Sequence, residues 1–570
     1  MNIISCKFDY LYARSERGDN FYSLIELIIS ENNLRLAYRN IKTNKGSKTN
    51  GLSGKNLSFI ANWNLHFYVK FIRNLIMNYE PSEIMRVGIP KANGKIRYLG
   101  IKEPWDKIIE QAIYQVLEPI LTAEFHNNSN GFIKGRSTKR AIAQLENYII
   151  KDKLYYAIDL DIKGFFDNVE HGKLLKQLWS CGIRDKNLIS LLSKMLKAKV
   201  KDVGIPERGT PQGGILSPLL ANVYLNELDW WLESKAPKGI RFVRYADDVV
   251  ILCPTYSVAR NMLELTTDWL SKRLKLEVSE EKTKIVNLKK NYTTFLGVKL
   301  KVKEKNGKIK IVSHMSDKAI KNFEEKTDKQ IRKIKKVKSN KKKCEKEVDL
   351  FNYQVMGTHN YYDMATFISE DVIHANIKIY EYIIRNLSDV LTYSNEVKEN
   401  DYITNKYGNG RKLPYIRGKP IIPIGRINYN PERYRGNKIN YFKEENRNLF
   451  HKKLEITNLF VLNTIVNNPN YNQTVEFNDN VISKFCGQLG KYAITNKPVF
   501  NISNMCAMKI KTNGNNKYDN IIIVESKVKK LIELQGVDDI IELYKLKRGF
   551  TIEQLEKINE IRKENNLPLI

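Results

Sequence analysis

The stretch RFVRYADDVVIL, residues 241–252, sets two adjacent carboxylates inside an apolar, β-branched run. This pattern predicts a buried β-hairpin with Asp247 and Asp248 at its tip. A second run of the same type, YYAIDLDI at 155–162, predicts a strand that carries Asp161. Because burying unpaired carboxylates costs several kcal/mol, we expect a cation to bind them.

Hard oxygen ligands on adjacent strands suit Mg²⁺. Two such ions about 4 Å apart can activate a 3′-hydroxyl and stabilise a leaving pyrophosphate. We therefore predict that Asp161, Asp247 and Asp248 are catalytic and bind two Mg²⁺ ions in a nucleotidyl transfer. An isolated Asp-Asp pair is more often a solvated turn, but the apolar flanks favour a buried hairpin here. Asp159 shares a strand face with Asp161, and we expect it to be structural.

Charge and composition limit the possible partners. The 570 residues predict several domains, and 95 Lys+Arg against 63 Asp+Glu leave a net charge of +32. This excess favours a polyanion, either nucleic acid or an anionic membrane surface. No apolar stretch approaches the roughly 18 residues of a spanning helix, and the N-terminus lacks a signal pattern. Six scattered Cys without a C-x-x-C pair argue against a disulfide framework or zinc site and for reduced intracellular thiols.

The remaining pattern predicts a mixed sheet backed by helices. Residues 84–101 alternate apolar and basic residues around Asn93-Gly94, which predicts a basic hairpin. Helical spacing marks 105–122 and 138–150. The segment from Lys329 to Lys346 contains ten basic residues and one acidic residue, at helical spacing. The Gly/Pro/Asn-rich stretch from 400 to 445 has little pattern and is expected to be a linker.

Five blocks in this order resemble group II intron reverse transcriptases, also called maturases. They are DIKGFFDNVEH (161–171), GTPQGGILSPLLANVYLNELD (209–229), RYADD (244–248), LEVSEEKTKI (276–285) and FLGVKL (295–300). The resemblance implies an α+β, right-hand polymerase with fingers, a palm built on an antiparallel sheet and a helical thumb, followed by a C-terminal α/β appendage.

The resemblance also implies nucleotide-binding residues. Phe166 matches the residue that excludes a 2′-hydroxyl, whereas a core position is an open alternative for its neighbour Phe165. Gln212 and Gly213 match the segment that lines the templating base, where glycine permits close backbone approach.

Three basic residues match the family's contacts to the triphosphate and the leaving group. Lys91 and Arg97 match a triphosphate clamp on the fingers hairpin, with a plain surface hairpin as the alternative. Lys282 matches a lysine that helps to protonate pyrophosphate, with a solvated lysine as the alternative.

Other blocks imply contacts to RNA. Residues 37–54 resemble an N-terminal extension that grips the template. Residues 130–142 resemble an insertion with RNA-binding basic residues, here Lys134 and Arg136, although Asn130 replaces the usual His. The run from Lys329 to Lys346 resembles the thumb, or maturase domain, which implies RNA contacts at Lys333 and Lys336.

The C-terminal region resembles an HNH-type endonuclease that has lost its chemistry. Such a nuclease needs histidine as base and metal ligand, and the last histidine of the chain is His451. We expect this region to bind nucleic acid or pack, without cutting DNA. The six expected regions are an N-terminal extension (1–80), fingers (81–155), palm (156–312), helical thumb or maturase domain (313–400), linker or DNA-binding region (401–450) and degenerate HNH-like domain (451–570).

The function implied by the resemblance is RNA-directed DNA polymerisation in intron mobility, together with assistance to splicing. A domesticated relative in phage defence or DNA repair is a second possibility, and a splicing-only maturase is a third. The expected partners are a group II intron RNA template, a DNA primer or target, dNTPs and a second copy of the chain, with no membrane. The expected location is a bacterial cytoplasm or nucleoid, or an organelle matrix.

Overall fold

A computed structural model describes most of the chain. The described residues are 3–90, 94, 96–211, 213–235, 239–395, 401–408, 410–434, 436, 440–450, 458–534 and 540–570. Two residues expected at the nucleotide site, Lys91 and Gln212, lie outside this set.

The first half of the described chain is rich in helices and also contains five strands. Its elements are α1 (Ile3–Glu16), α2 (Leu24–Ile28), α3 (Glu31–Lys42), α4 (Leu57–Ala61), α5 (Leu65–Met77), β1 (Met85–Pro90), β2 (Ile96–Ile101), α6 (Pro104–Glu124), α7 (Thr138–Lys151), β3 (Tyr156–Asp161), α8 (His171–Ser180), α9 (Lys186–Leu196), α10 (Ser217–Lys235), β4 (Arg241–Tyr245), β5 (Asp248–Cys253) and α11 (Tyr256–Trp269).

The second half adds further strands and long helices. Its elements are β6 (Lys284–Asn287), β7 (Thr293–Phe295), β8 (Val298–Lys305), β9 (Lys308–Met315), α12 (Asp317–Val337), α13 (Lys341–Tyr362), α14 (Ile368–Asp371), α15 (Ile373–Leu387), β10 (Leu391–Ser394), β11 (Leu413–Ile416), β12 (Lys419–Pro420), α16 (Glu444–Phe450), α17 (Leu459–Asn467), α18 (Val475–Gly487), β13 (Met505–Lys509), β14 (Ile521–Glu525), α19 (Ser526–Glu533), α20 (Ile540–Lys547) and α21 (Ile552–Glu564).

These elements form two compact units, each assembled from separate stretches of chain. The first unit contains Met1–Phe125, Gly164–Tyr224 and Ile439–Ile570, and the second contains His126–Lys163 and Leu225–Lys438. The fold is α+β, as expected, since its strands pair in separate antiparallel sheets among the helices. The six consecutive regions expected from the sequence are functional divisions, and their boundaries remain a prediction.

A four-stranded antiparallel sheet with strand order β4-β5-β3-β6 lies in the second unit. Its strands include the two runs, 155–162 and 241–252, that the sequence predicted. Both faces of β5 are covered, because Val249 through Cys253 are all buried. The core on one side joins α7 to the sheet through Ala141, Ile142, Leu145, Ile149, Ala157, Val243, Val250 and Leu252. A continuous apolar run suits a strand that is buried on both faces.

Glu146 of α7 carries a carboxyl that is short of hydrogen-bond partners. Its Oε1 atom is buried without a partner among the described residues, and burial raises the pKa of this carboxyl from its ordinary 4.5 to about 7. The folded protein therefore holds this proton to a higher pH than the unfolded chain. Protonated Glu146 therefore contributes to the free energy of unfolding at low pH. This contribution is lost as the pH rises from about 4.5 to about 7.

Replacing this carboxyl tests that pH dependence. We expect Glu146→Gln to increase the free energy of unfolding at about pH 8, and to change it little at about pH 5, since the amide never ionises. Urea unfolding at both pH values measures the effect. The matched control is Glu325→Gln, at an exposed position of α12. An equal effect of the two substitutions at both pH values would contradict the assignment.

The expected linker is partly a structural element of the second unit. Residues 413–420 form β11 and β12, which join β10 in a three-stranded sheet. The apolar side chains of this stretch share one core with α12, α13 and α15 through Leu413, Tyr415, Ile416, Ile421, Ile422, Ile424 and Ile427. The linker prediction is therefore wrong for this stretch, because its isoleucines bury despite the surrounding Gly, Pro and Asn.

The first unit contains the predicted basic hairpin and the C-terminal region. Strands β1 and β2 pair antiparallel, with Val87 opposite Leu99, on either side of the Asn93-Gly94 pair. In the C-terminal region, β13 and β14 pair antiparallel and lead directly into α19. Among the described residues, no helix combines the length and the apolar character needed to cross a membrane.

Candidate active site at the tip of the central hairpin

The sheet of the second unit brings the predicted carboxylates to one place. Asp161, the last residue of β3, pairs in register with Asp248, the first residue of β5. The β4–β5 hairpin pairs Tyr245 with Asp248, which leaves only Ala246 and Asp247 in its turn. Ala246 adopts a left-handed conformation with φ of 58°, and this tight turn places Asp247 beside Asp248. The strand ends therefore gather the three carboxylates that the sequence singled out.

The carboxylates repel one another and attract one lysine. Burial, followed by the neighbouring charges of Asp247 and Asp161, raises the pKa of Asp248 to about 6, against the opposing effect of Lys282. The ammonium of Lys282 donates to Asp161 Oδ1 at 3.1 Å and to Oδ2 at 3.0 Å. A divalent cation would relieve the same repulsion more strongly than one ammonium does.

The donor set fits a metal that completes its coordination with substrate. Among the described residues, no three His, Cys, Asp or Glu side chains converge as a ready-made metal site. Mg²⁺ is usually held by one or two carboxylates together with substrate phosphates and water. The paired Asp161 and Asp248, with Asp247 in the adjoining turn, fit that mode of binding.

A buried ion pair holds the hairpin from within. The side chains of Arg244 and Asp229 are both fully buried, with Nε to Oδ1 at 2.7 Å and Nη2 to Oδ2 at 2.5 Å. Arg244 also donates from Nη1 to the carbonyl of Ala246 at 2.8 Å. The guanidinium therefore ties the left-handed turn residue directly to α10, which carries Asp229. Breaking such a buried pair at one partner usually costs about 3–5 kcal/mol.

Residues 127–131 run along β4 and form hydrogen bonds with its backbone. The amide of Arg244 donates to the Asn128 carbonyl at 2.9 Å, and the amide of Asn130 donates to the Arg244 carbonyl at 2.8 Å. Gly131 follows, and a Cβ at this position would lie 2.3 Å from the backbone nitrogen of Ala246. Only glycine allows the chain to pass this close to the turn that carries the carboxylates.

Sequence reasoning missed Arg244, Asp229 and Gly131. The signal for Arg244 was available, because it is a charged residue within a largely apolar, β-type run. Its partner Asp229 and the close approach of Gly131 depend on long-range packing, which local patterns do not encode.

The two residues expected to bind RNA in the 130–142 insertion differ in exposure. Lys134 is exposed. Arg136 is 5% exposed, and its Nη1 atom donates to the carbonyls of His126 at 2.7 Å and Ser129 at 2.5 Å. Its guanidinium packs the insertion instead of facing solvent, so the RNA contact expected at Arg136 is corrected to a structural role.

Three residues expected at the nucleotide site belong to the first unit. Phe165 is 2% exposed, whereas Phe166 is only partly buried, which separates a core ring from an accessible one. Gly213 has φ of 99°, and a Cβ there would approach the Gly100 carbonyl to 3.4 Å. Arg97 lies opposite Ile89 in the β1–β2 ladder and is exposed.

The lysines expected to bind RNA in the long basic run lie on a solvent-facing side of a helix. Lys333 and Lys336 of α12 are exposed, whereas Ile331 and Ile334 of the same helix are fully buried. These ammonium groups are therefore placed to reach a polyanion while the helix stays packed.

Comparison with known proteins identifies the region around these carboxylates. Residues 89–300 match the family model described as "Reverse transcriptase (RNA-dependent DNA polymerase)". Protein YkfC of Escherichia coli is 29% identical over 55% of this chain and 92% of its own length. Group II intron-encoded protein LtrA of Lactococcus lactis is 33% identical over 44% of this chain and 40% of its own length.

A protein of Saccharomyces cerevisiae is a further relative of this chain. The putative COX1/OXI3 intron 2 protein of Saccharomyces cerevisiae is 27% identical over 49% of this chain and 39% of its own length. Among solved structures, apo telomerase from Candida tropicalis, truncated from its C-terminal domain, aligns over 43% of this chain and 59% of that chain, at 17% identity and a TM-score of 0.32. The matches span most of the Escherichia coli protein and about two fifths of the two intron-encoded proteins.

Proposed function

We propose that the chain is a reverse transcriptase of the group II intron-encoded type, which copies intron RNA into DNA and assists splicing of that intron. The observation that carries this proposal is the meeting of Asp161, Asp247 and Asp248 at the strand ends of one antiparallel sheet. The mixed fold and the reverse transcriptase match over 89–300 support it.

The chemistry is nucleotidyl transfer at the carboxylate site. Two Mg²⁺ ions held by Asp161, Asp247 and Asp248 would supply charge stabilisation at the attacking 3′-hydroxyl and the leaving pyrophosphate. Asp161 and Asp248 supply ligands from neighbouring strands, and Asp247 supplies one from the turn. Arg244 and Gly131 keep that turn in place, which preserves the alignment of the reacting groups.

Other residues would bind the nucleotide and the nucleic acids. Phe166 would lie against the deoxyribose and exclude a 2′-hydroxyl, and Gly213 would admit the templating base. Arg97 would neutralise the triphosphate, while Lys333 and Lys336 would bind intron RNA. The substrates in this proposal are dNTPs, a DNA primer and an RNA template, in a bacterial nucleoid or an organelle matrix.

Primer extension on an RNA template tests the proposed activity. We expect the protein to extend a DNA primer with dNTPs and Mg²⁺, and to accelerate splicing of the matching intron transcript. Absence of extension on both RNA and DNA templates would overturn the polymerase assignment. Extension without any effect on splicing would restrict the proposal to DNA synthesis.

Lys282 would act on the leaving group. Its ammonium lies 3.0 Å from Asp161 Oδ2 and is the cation nearest to that carboxylate among the described contacts. In the proposed reaction this ammonium donates a proton to the departing pyrophosphate. We expect Lys282→Ala to lower the rate of single-nucleotide incorporation about 10²-fold, with little change in template affinity. Single-turnover kinetics with Lys290→Ala as the exposed control measures this effect, and equal rates for the two variants would refute the role.

A further inference from the structure

Four aromatic rings form a patch on the first unit, in which Phe59 and Phe67 are exposed and Trp63 and Phe71 are half-buried. Phe59 of α4 is 41% exposed and Phe67 of α5 is 50% exposed. Trp63, between the two helices, contacts Phe59, Phe67 and Phe71, with ring centroids 5.5, 5.1 and 4.9 Å apart. We call Phe59, Trp63, Phe67 and Phe71 the aromatic patch.

This patch is additional to the face that α5 needs for packing. The buried face of α5 already contains Leu65, Tyr68, Val69, Ile72 and Ile76. The rings lie on another side of the helix, together with exposed polar residues. Contiguous exposed apolar surface, rimmed by polar residues, is typical of a binding site.

The positive charge around the patch favours a polyanion as its binding partner. Between Glu31 and Glu80 the sequence contains eight Lys and Arg residues and no Asp or Glu. Three of them, Arg35, Arg39 and Lys42, form ion pairs with acidic residues outside this stretch, and the other five remain to attract a polyanion. The ammonium of Lys55 lies 4.3 Å from the centre of the Phe59 ring. Lys70, between Phe67 and Phe71 in the sequence, is exposed. A partner that combines flat apolar surfaces with negative charge complements such a patch.

A basic cavity adjoins the patch through α4. Ser58 and Ala61, from the same short helix as Phe59, line a cavity of about 580 Å³. Lys48 from the N-terminal segment and Lys517 from the C-terminal region also line it, and both are exposed. The one acidic residue among the described lining residues, Glu476, is paired with Lys42 at 3.6 Å, so the exposed lysines give the cavity its positive charge. The C-terminal region thus supplies one wall of this cavity.

We propose that the aromatic patch and this cavity bind single-stranded nucleic acid. Unpaired bases stack on the rings, because every base presents a π-face, and the phosphates pass Lys48, Lys55 and Lys517. A duplex keeps its bases stacked inside and cannot use the rings in this way. The site shares no residue with the carboxylate site and does not depend on polymerase activity. It gives the C-terminal region a role in nucleic-acid binding that needs no nuclease chemistry.

Binding of labelled oligonucleotides to the full chain tests the patch. The probes are an oligo(U) RNA and an oligo(dT) DNA of about 16 nucleotides, and a duplex of equal length, without dNTPs. We expect the double substitution Trp63→Leu and Phe67→Leu to raise Kd for the single strands about tenfold or more, and to leave duplex binding unchanged. Equal weakening for RNA and DNA indicates stacking alone, and stronger weakening for RNA adds a ribose contact. Both results support the site.

Two further variants separate stacking from loss of structure. Trp63→Phe keeps a ring and should retain binding, while Phe500→Leu, at a ring that is 74% exposed, serves as the control. If the double variant fails to fold, Phe59→Leu, at an exposed ring of α4, replaces it. An unchanged Kd overturns the proposal, as does an equal loss in Phe500→Leu. Sedimentation that shows a parent dimer and a monomeric double variant with unchanged Kd would assign the patch to a second copy of the chain instead.

The contribution of the cavity to binding is measured separately, through the dependence of Kd on salt concentration. We expect Lys517→Ala to reduce the slope of log K against log salt for the single strands by roughly 0.7, the value for one phosphate contact. Lys563→Ala, at an exposed position of α21, is the matched control. An equal slope for Lys517→Ala and the parent would remove Lys517 from the site.

Discussion

Asp247→Asn is expected to lower nucleotide incorporation about 10³-fold, because the amide removes one anionic oxygen from the site that would bind the metal ions. The substitution keeps the size of the side chain, and Asp247 lies in the hairpin turn outside the strand ladder. Affinity for a primer–template should change little. Single-turnover primer extension, together with a binding measurement, separates the two effects.

Asp159→Asn is the matched control for this loss. Asp159 lies on the same strand as Asp161, accepts a hydrogen bond from the hydroxyl of Thr293, and lies 4.0 Å from Lys284. Burial raises the pKa of its carboxyl to about 6, so removal of this charge relieves a desolvation cost without removing a metal ligand. We expect most activity to survive. If Asp159→Asn were as inactive as Asp247→Asn, the assignment of the triad would have to change.

Gly131→Ala is expected to reduce incorporation about 10²-fold without any change to a titratable group. The new methyl would lie 2.3 Å from the Ala246 nitrogen, against backbone that cannot rotate away. Either the 127–131 segment or the hairpin turn must shift, and a displacement of about 1 Å at a reacting centre costs a factor of this size. The apparent Mg²⁺ concentration for half-maximal activity should rise, since Asp247 and Asp248 move together.

The control for the glycine substitution adds a methyl where space is open. A Cβ at Gly172 of α8 would have no heavy atom within 4 Å beyond its own helix and chain neighbours, so Gly172→Ala should leave both activity and Mg²⁺ dependence unchanged. Thermal unfolding of both variants checks that the fold is retained. Parental kinetics in a folded Gly131→Ala protein would refute the role of this close approach.

The strands, the hairpin tip and the carboxylates could be predicted from the sequence because they depend on local pattern. Alternation and β-branched runs locate β3, β4 and β5, and the register that places Asp161 opposite Asp248 follows once those strands pair. The buried pair of Arg244 and Asp229 could not be found in this way. Its two residues lie 15 positions apart on a strand and a helix, and only packing of the two elements brings them into contact.

The region after residue 400 was misjudged for a related reason. Gly, Pro and Asn interrupt the apolar spacing there, which is typical of linkers, yet Ile416, Ile421 and Ile424 each lie in the core shared with α12 and α13. Irregular backbone can bury isolated apolar side chains when neighbouring helices supply the rest of the core. The burial of Arg136 was missed because its acceptors are backbone carbonyls, which leave no trace in residue type.

The first unit joins residues from both ends of the chain, and this arrangement sets the timing of its folding during synthesis. Arg39 bonds Asp479 across 440 positions, and Arg35 donates to the Val466 carbonyl across 431. At 5–20 residues per second, α3 leaves the ribosome roughly 20 to 90 s before those partners do. Over that interval its basic residues lack these acceptors, so α3 cannot complete its contacts in the first unit until the C-terminal region has been synthesised.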